Sequence, residues 1–143
     1  MTLIDAGPLL ALVNSRDRDH ALCVEAISTI GDGLSTTWPV FAEAMHMAGE
    51  RLGRAATRWR GQSMLWELVR RGDLTLHNLG MDANDRLFDL MKKYRDSPMD
   101  LGDATLVVLA EDLGTQRIFT LDSHFRAYRI RSRKSFRIVP ADL

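Results

Sequence analysis

Short apolar runs recur along this chain, each parted from the next by a stretch long enough for a helix. Thr2 to Asp5 (TLID), Leu34 to Thr37, Leu74 to Leu76 and Arg117 to Leu121 (RIFTL) read as strands, bounded by glycine, proline or acidic residues. The intervening patterns read as helices: from Pro8 through Val13, Ala21 to Ile30, Val40 to Leu52, Thr57 to Arg71, Asp82 to Tyr94, and one ending at about Leu113. Gly31 to Gly33 and Gly114 are their stop signals, Pro8 and Pro39 suit opening turns, and Asp82 with Asp85 reads as a cap and its partner acid. Strands that alternate with helices pair in parallel, because each crossover helix carries the chain back to the same edge. The expected fold is a three-layer α/β/α sandwich around a mainly parallel sheet of four to five strands. Phe136 to Val139 would be an edge strand, stopped by Pro140. With no repeat, linker or low-complexity tract, residues 1–143 are expected to form a single domain.

Charge sets few limits in total and more in its distribution. Nineteen basic and nineteen acidic residues leave zero formal charge, which neither demands nor excludes nucleic acid. From Arg126 to Arg137, however, Arg126, Arg129, Arg131, Arg133, Lys134 and Arg137 occur with no acid among them, either a phosphate-holding segment or a solvated one. Arg51, Arg54, Arg58 and Arg60 offer the same two readings. Cys23 is the only cysteine, so an internal disulfide and a thiolate metal cluster are both excluded. The apolar N-terminal run is broken by Asp5, Gly7 and Pro8, far short of a membrane span, and the expected location is cytoplasmic.

Acids at strand ends and helix starts carry the chemistry. In SPMDLGDATLVVLAEDLG, Asp100 and Asp103 stand three apart, hence on one face of the helix they open, although Asp100 could be only its N-cap. Asp5 ends the first strand beside a helix start, where open α/β sheets bind ligands. Glu43 lies among Phe41, Ala42, Ala44 and Met45, where a carboxylate is either exposed or functional, and Asp122 ends the RIFTL strand. Other patterns fall short. Asp17, Asp19 and His20 lack the glycine and closing glutamate of a calcium loop, and Glu43 with His46 lacks the second histidine of a zinc protease. His124 reads as a loop histidine, Trp38, Met45 and Met47 as core, and Trp59 with Trp66, seven apart, as core or dimer seam. Carboxylates gathered at one sheet edge repel one another unless a cation neutralises them, and oxygen-only ligands suit Mg2+ or Mn2+. Such a pocket points to phosphoryl transfer or phosphodiester hydrolysis.

The order LIDAGPLLALV, TTWPVFAEAMHMAG, SPMDLGDATLVVLAEDLG, IFTLDSHF resembles the PIN-domain ribonucleases, in particular the VapC-type toxins of toxin–antitoxin systems, from Asp5 to Phe125. The resemblance implies a metal-dependent endoribonuclease that cuts single-stranded or structured RNA and leaves 5′-phosphate and 3′-hydroxyl ends. Its acidic positions map onto Asp5, Glu43, Asp103 and Asp122, with Asp100 as a further ligand or supporting acid. It also implies a small antitoxin that blocks the site, and frequent homodimers. Many relatives carry serine or threonine just after the first aspartate; this chain has Ala6 and Gly7. On this reading Asp5, Asp103 and Asp122 hold one or two Mg2+ or Mn2+ ions, and Glu43 contributes directly or through water. Thr120 and Ser123 orient Asp122 or touch phosphate, and Arg126, Arg129 and Arg131 hold the RNA backbone. The rival is a catalytically idle PIN-like module acting through protein or RNA binding. Receiver and haloacid-dehalogenase phosphatase patterns fail, since Asp5 has no acidic neighbour and Gly7 stands where the second aspartate is needed.

Overall fold

The computed structural model describes residues 1–51 and 55–140. Five strands form one parallel sheet: β1 (Thr2–Ile4), β2 (Leu34–Thr37), β3 (Leu74–His77), β4 (Arg117–Phe119) and β7 (Arg137–Val139), in the order β3-β2-β1-β4-β7. Between β4 and β7 a short antiparallel hairpin joins β5 (Arg129–Ile130) to β6 (Lys134–Ser135), and its turn holds Arg131 and Ser132 at φ of 50° and 60°. Six helices complete the α/β/α sandwich: α1 (Ala6–Val13), α2 (His20–Ser28), α3 (Trp38–Arg51), α4 (Ala55–Arg70), α5 (Asn84–Lys93) and α6 (Leu101–Leu113). Helix α1 packs on α2 and α3, α3 on α4, and α6 against β2, α5 and β5. Leu3, Ile4, Leu106, Val107, Ile118 and Phe119 form the centre of the core, where both faces of the central strands are covered.

Strand order decides where a site can form. From β1 the chain moves outward to β2 and β3 on one side, then returns to place β4 and β7 on the other. A crevice opens at such a reversal, outside the carboxyl ends of the two central strands. Those strands are β1 and β4, in register through Leu3 with Ile118 and Ile4 with Phe119.

Several sequence expectations are corrected. Helix α1 begins at Ala6 rather than Pro8, and Pro8 is tolerated within the first turn because its missing N–H would have had no helical partner. Helix α2 ends at Ser28, ahead of Gly31 to Gly33. Asp82 makes no capping hydrogen bond: it lies in a 3-10 turn over Met81–Ala83, and α5 starts one residue later. Trp38 is exposed rather than core; Trp59 and Trp66 are exposed too, which removes the core reading for them and leaves the seam, and of the large apolar side chains described in α4 only Leu65 is fully covered. Edge-on contacts pack Trp38 and Trp66 against each other and against the buried Phe41 instead. Leu52 and Arg54, invoked above, lie outside the described residues, as does the side chain of Arg51, while Arg58 and Arg60 are exposed. Among the described residues, no helix is long and apolar enough to cross a membrane.

Candidate active site

Asp5 is the first residue beyond β1 and caps α1, with Oδ1 accepting the Ala6 N–H at 2.8 Å. Because β1 and β4 run in register, the residue after β4 is its neighbour: the Thr120 hydroxyl donates to Asp5 Oδ2 at 3.0 Å. The same hydroxyl oxygen accepts the Asp122 N–H at 3.0 Å, so one buried threonine, 115 residues from Asp5, ties together two acids from opposite ends of the chain. Asp122 Oδ1 accepts the His124 N–H at 2.9 Å and lies 2.8 Å from His124 Nδ1.

Helix α6 brings the third acid. Asp100 is its N-cap, accepting the Asp103 N–H at 2.8 Å, as Asp commonly does where the first turn leaves donors free. That bond fixes the turn and leaves Asp103 pointing inward, where it is only 6% exposed. The Tyr128 hydroxyl donates to Asp103 Oδ2 at 3.1 Å. Below the site, Thr105 donates to the Gly102 carbonyl at 2.7 Å and pairs with the Thr37 hydroxyl at 2.8 Å. Thr37 ends β2, so this pair registers α6 against the strand that leads into α3 and Glu43.

One carboxylate oxygen each from Asp5, Asp103 and Asp122 lies within 4.8 Å of the others. Asp103 is pushed up to about 7, first by burial, then by the charges of Asp100 and Asp5. Asp5 is raised by burial against the lowering effect of its Ala6 and Thr120 hydrogen bonds, with Asp122 and Asp100 raising it further. Glu43 is raised as well, by partial burial and then by Asp100 and Asp5. Among the described residues, no lysine or arginine forms an ion pair with Asp5, Glu43, Asp100 or Asp103. A cluster that repels itself, is desolvated and offers only oxygen donors fits a hard divalent cation such as Mg2+ or Mn2+.

Glu43 and Asp100 stand beside this trio rather than in it. They meet over Gly102, where a β-carbon would lie 3.3 Å from Asp100 Oδ1 and 3.4 Å from Glu43 Oε2. Ser123 is exposed at the start of the 3-10 turn that follows Asp122. The arginines are engaged elsewhere. Arg129 Nη1 donates to the carbonyls of Arg126 and Tyr128, and Arg131 donates through its N–H to Glu111 Oε2 at 2.6 Å and through Nη2 to the Glu111 carbonyl. Glu111 lies eight residues along α6 from Asp103, about 12 Å at 1.5 Å per residue, so Arg131 is held far from the acids. Arg126 is exposed.

Three residues escaped the sequence reading. Gly102 had a visible signal, a glycine between two acids in one helical turn. Thr105 and Tyr128 had only the general one, that a buried acid needs a donor from elsewhere in the chain.

No protein-family model matches the chain. Ribonuclease VapC26 of Mycobacterium tuberculosis (strain ATCC 25618 / H37Rv) is 32% identical over 139 residues, covering 96% of this chain and 99% of that protein. The chain belongs to the VapC ribonucleases, a PIN-domain family. Its fold agrees: the crystal structure of Mycobacterium tuberculosis VapC20, a toxin that cleaves the sarcin-ricin loop, superposes with a TM-score of 0.79 at 16% identity. That superposition covers 89% of this chain and 94% of the other.

Proposed function

We propose that this VapC-family chain is a Mg2+- or Mn2+-dependent endoribonuclease, acting as one domain in the cytoplasm as the toxin of a toxin–antitoxin pair. The observation that carries the reading is the trio of Asp5, Asp103 and Asp122, within 4.8 Å of one another, with Asp103 buried and with no lysine or arginine paired to Asp5 or Asp103 among the described residues. When bound, the cation supplies a water of lowered pKa as nucleophile and positive charge for the leaving oxygen.

The protein's own groups do the rest. Asp5, Asp103 and Asp122 hold the cation, and Thr120 fixes the orientation of Asp5 while receiving the Asp122 backbone. Asp100 and Glu43, which meet over Gly102 beside the trio, would hold the cation's waters or a second ion. Gly102 keeps the space between them clear. Ser123 and Arg126, both exposed and within four residues of Asp122, are assigned to the RNA backbone. Arg129 and Arg131 are assigned to shaping the segment that carries them. A small antitoxin would inhibit by covering the acids, and a homodimer is the proposed assembly.

RNA cleavage should require Mg2+ or Mn2+ and stop when a chelator is added, returning when the ion is restored in excess. Cleavage that persists in chelator removes the metal mechanism. A folded protein that binds Mn2+ and never cuts RNA would favour the idle-module reading.

A further inference from the structure

We infer that Tyr128 is a positioning residue for the metal site: its hydroxyl fixes the rotation of the Asp103 carboxylate and so sets how tightly the cation is held. This rests on the reading of Asp103 as a ligand, and extends it to a residue that touches no substrate.

Tyr128 is fully buried, and its ring is clamped edge-on by Tyr94 and Phe125, each with a centroid separation of 5.1 Å. Phe136 backs Phe125 at 5.5 Å, and the Tyr94 hydroxyl accepts the Arg129 N–H at 3.1 Å, fixing the backbone just past Tyr128. A ring held this firmly presents its hydroxyl at one point. Two acceptors lie within reach, Asp103 Oδ2 at 3.1 Å and the Ser97 carbonyl at 3.3 Å. A phenol has one proton to donate, and an ionised carboxylate is the stronger acceptor of the two.

The consequence is geometric. Asp103 sits on α6, whereas Asp122 and Tyr128 sit on one short segment after β4. Nothing within α6 restrains the Asp103 carboxylate, since the bond from Asp100 is made to its backbone N–H. Tyr128 supplies the only side-chain hydrogen bond to that carboxylate among the described residues. The segment that delivers Asp122 thereby also aims the acid it must meet. Hydrogen-bonding partners of this kind typically change metal affinity 10–100-fold when removed.

Tyr128→Phe keeps the packing ring and deletes the hydroxyl. Calorimetric titration of the full chain with Mn2+ should give a Kd weakened about tenfold or more, with kcat lowered and the RNA KM unchanged. In an Asp103→Asn background the same change should leave Mn2+ affinity where Asp103→Asn alone puts it. An unchanged Kd with a lowered melting temperature would mean that the hydroxyl only supports the fold, and would overturn the proposal. Should Tyr128→Phe fail to fold, the unsubstituted protein labelled with 3-fluorotyrosine answers instead. Mg2+ should then move the 19F resonance of Tyr128 more than that of Tyr94, and equal or absent shifts at saturation overturn it. Wild-type protein that binds no Mn2+ at all would defeat the reading of the site itself, a separable outcome.

Discussion

Acids at the two ends of the sheet live in opposite electrostatic conditions. At the amino ends of the strands, Asp32 is met by the Met1 amine, accepts the Thr2 hydroxyl at 2.9 Å and faces Arg117 at 3.5 Å, and its carboxyl is lowered, most by the Met1 amine. Glu111, near the end of α6, is gripped by Arg86 through Nε at 3.0 Å and Nη2 at 2.8 Å, with the Arg131 N–H adding a third bond; Arg86 and Arg131 hold it down despite burial. At the carboxyl ends, Asp5 has an amide and a hydroxyl donor and Asp103 a hydroxyl, but Asp5, Glu43 and Asp103 have no basic partner among the described residues, and all three are raised. Where this fold needs an acid for structure, it provides a cation from its own chain. Where it gathers acids without one, the neutralising charge has to come from solution.

Neutralising Asp103 should have the largest effect and the most telling one, because activity and stability should move in opposite directions. Asp103→Asn keeps the shape and can still accept the Tyr128 hydroxyl, so cleavage should fall by at least roughly 10²–10³-fold without loss of fold. In chelator at pH 8 the same variant should melt above wild type, since it removes a charge held against burial and against Asp100 and Asp5. Gel-based RNA cleavage and thermal melts check the two halves. A variant that loses both activity and stability would mean that Asp103 is a structural acid like Glu111.

A pH series with and without metal sharpens the same contrast. A carboxyl raised in the folded state binds its proton more tightly there than in the unfolded chain. The stability Asp103 contributes is therefore complete below its unfolded value of about 4, and is lost as pH rises through about 7. Asp32 and Glu111 have the opposite sign: their contribution is present above the unfolded range and lost as pH falls through their lowered folded values. Chelated wild-type protein should thus be less stable at pH 8 than at pH 6, and Asp103→Asn should flatten that slope. Mg2+ at about 100 times its Kd should restore about 2.7 kcal/mol at pH 8, and far less at pH 5, where protons compete for the same oxygens. Denaturant titrations at the two pH values read both effects.

How much of this was legible in the sequence follows from the range of each interaction. Strand β2 falls on the expected residues, and α6 ends at Gly114 at φ 68°, because β-branched runs and a left-handed glycine are local signals. Acids after strands were legible too, since parallel pairing brings all carboxyl ends to one edge. The donors to those acids were not. Tyr128 meets Asp103 across 25 residues and Arg86 meets Glu111 across another 25, and neither pairing leaves a local trace. The β5–β6 hairpin was missed because its left-handed turn is made by Arg131 and Ser132, without the glycine or asparagine that usually marks one. The tryptophans of α3 and α4 misled for a related reason: spacing sets which residues share a face, and only the neighbouring elements decide whether that face is covered.

The smallest effects belong to the paired acids, and they should rank by burial. Glu111 is only 11% exposed at its side chain and carries three hydrogen bonds to arginine groups, so Glu111→Gln leaves Arg86 without its charge partner and should cost about 1–3 kcal/mol. Asp32 is 32% exposed at its side chain, its partners are solvent-accessible, and Asp32→Asn should cost about 1 kcal/mol or less, shrinking further in high salt. Both substitutions lie away from the acid trio and should leave RNA cleavage within about twofold of wild type. Urea midpoints at low and high salt separate them. If Asp32→Asn proved the costlier and insensitive to salt, exposure would not be what ranks the paired acids. The contrast with the carboxyl-end cluster would then rest on location alone rather than on desolvation.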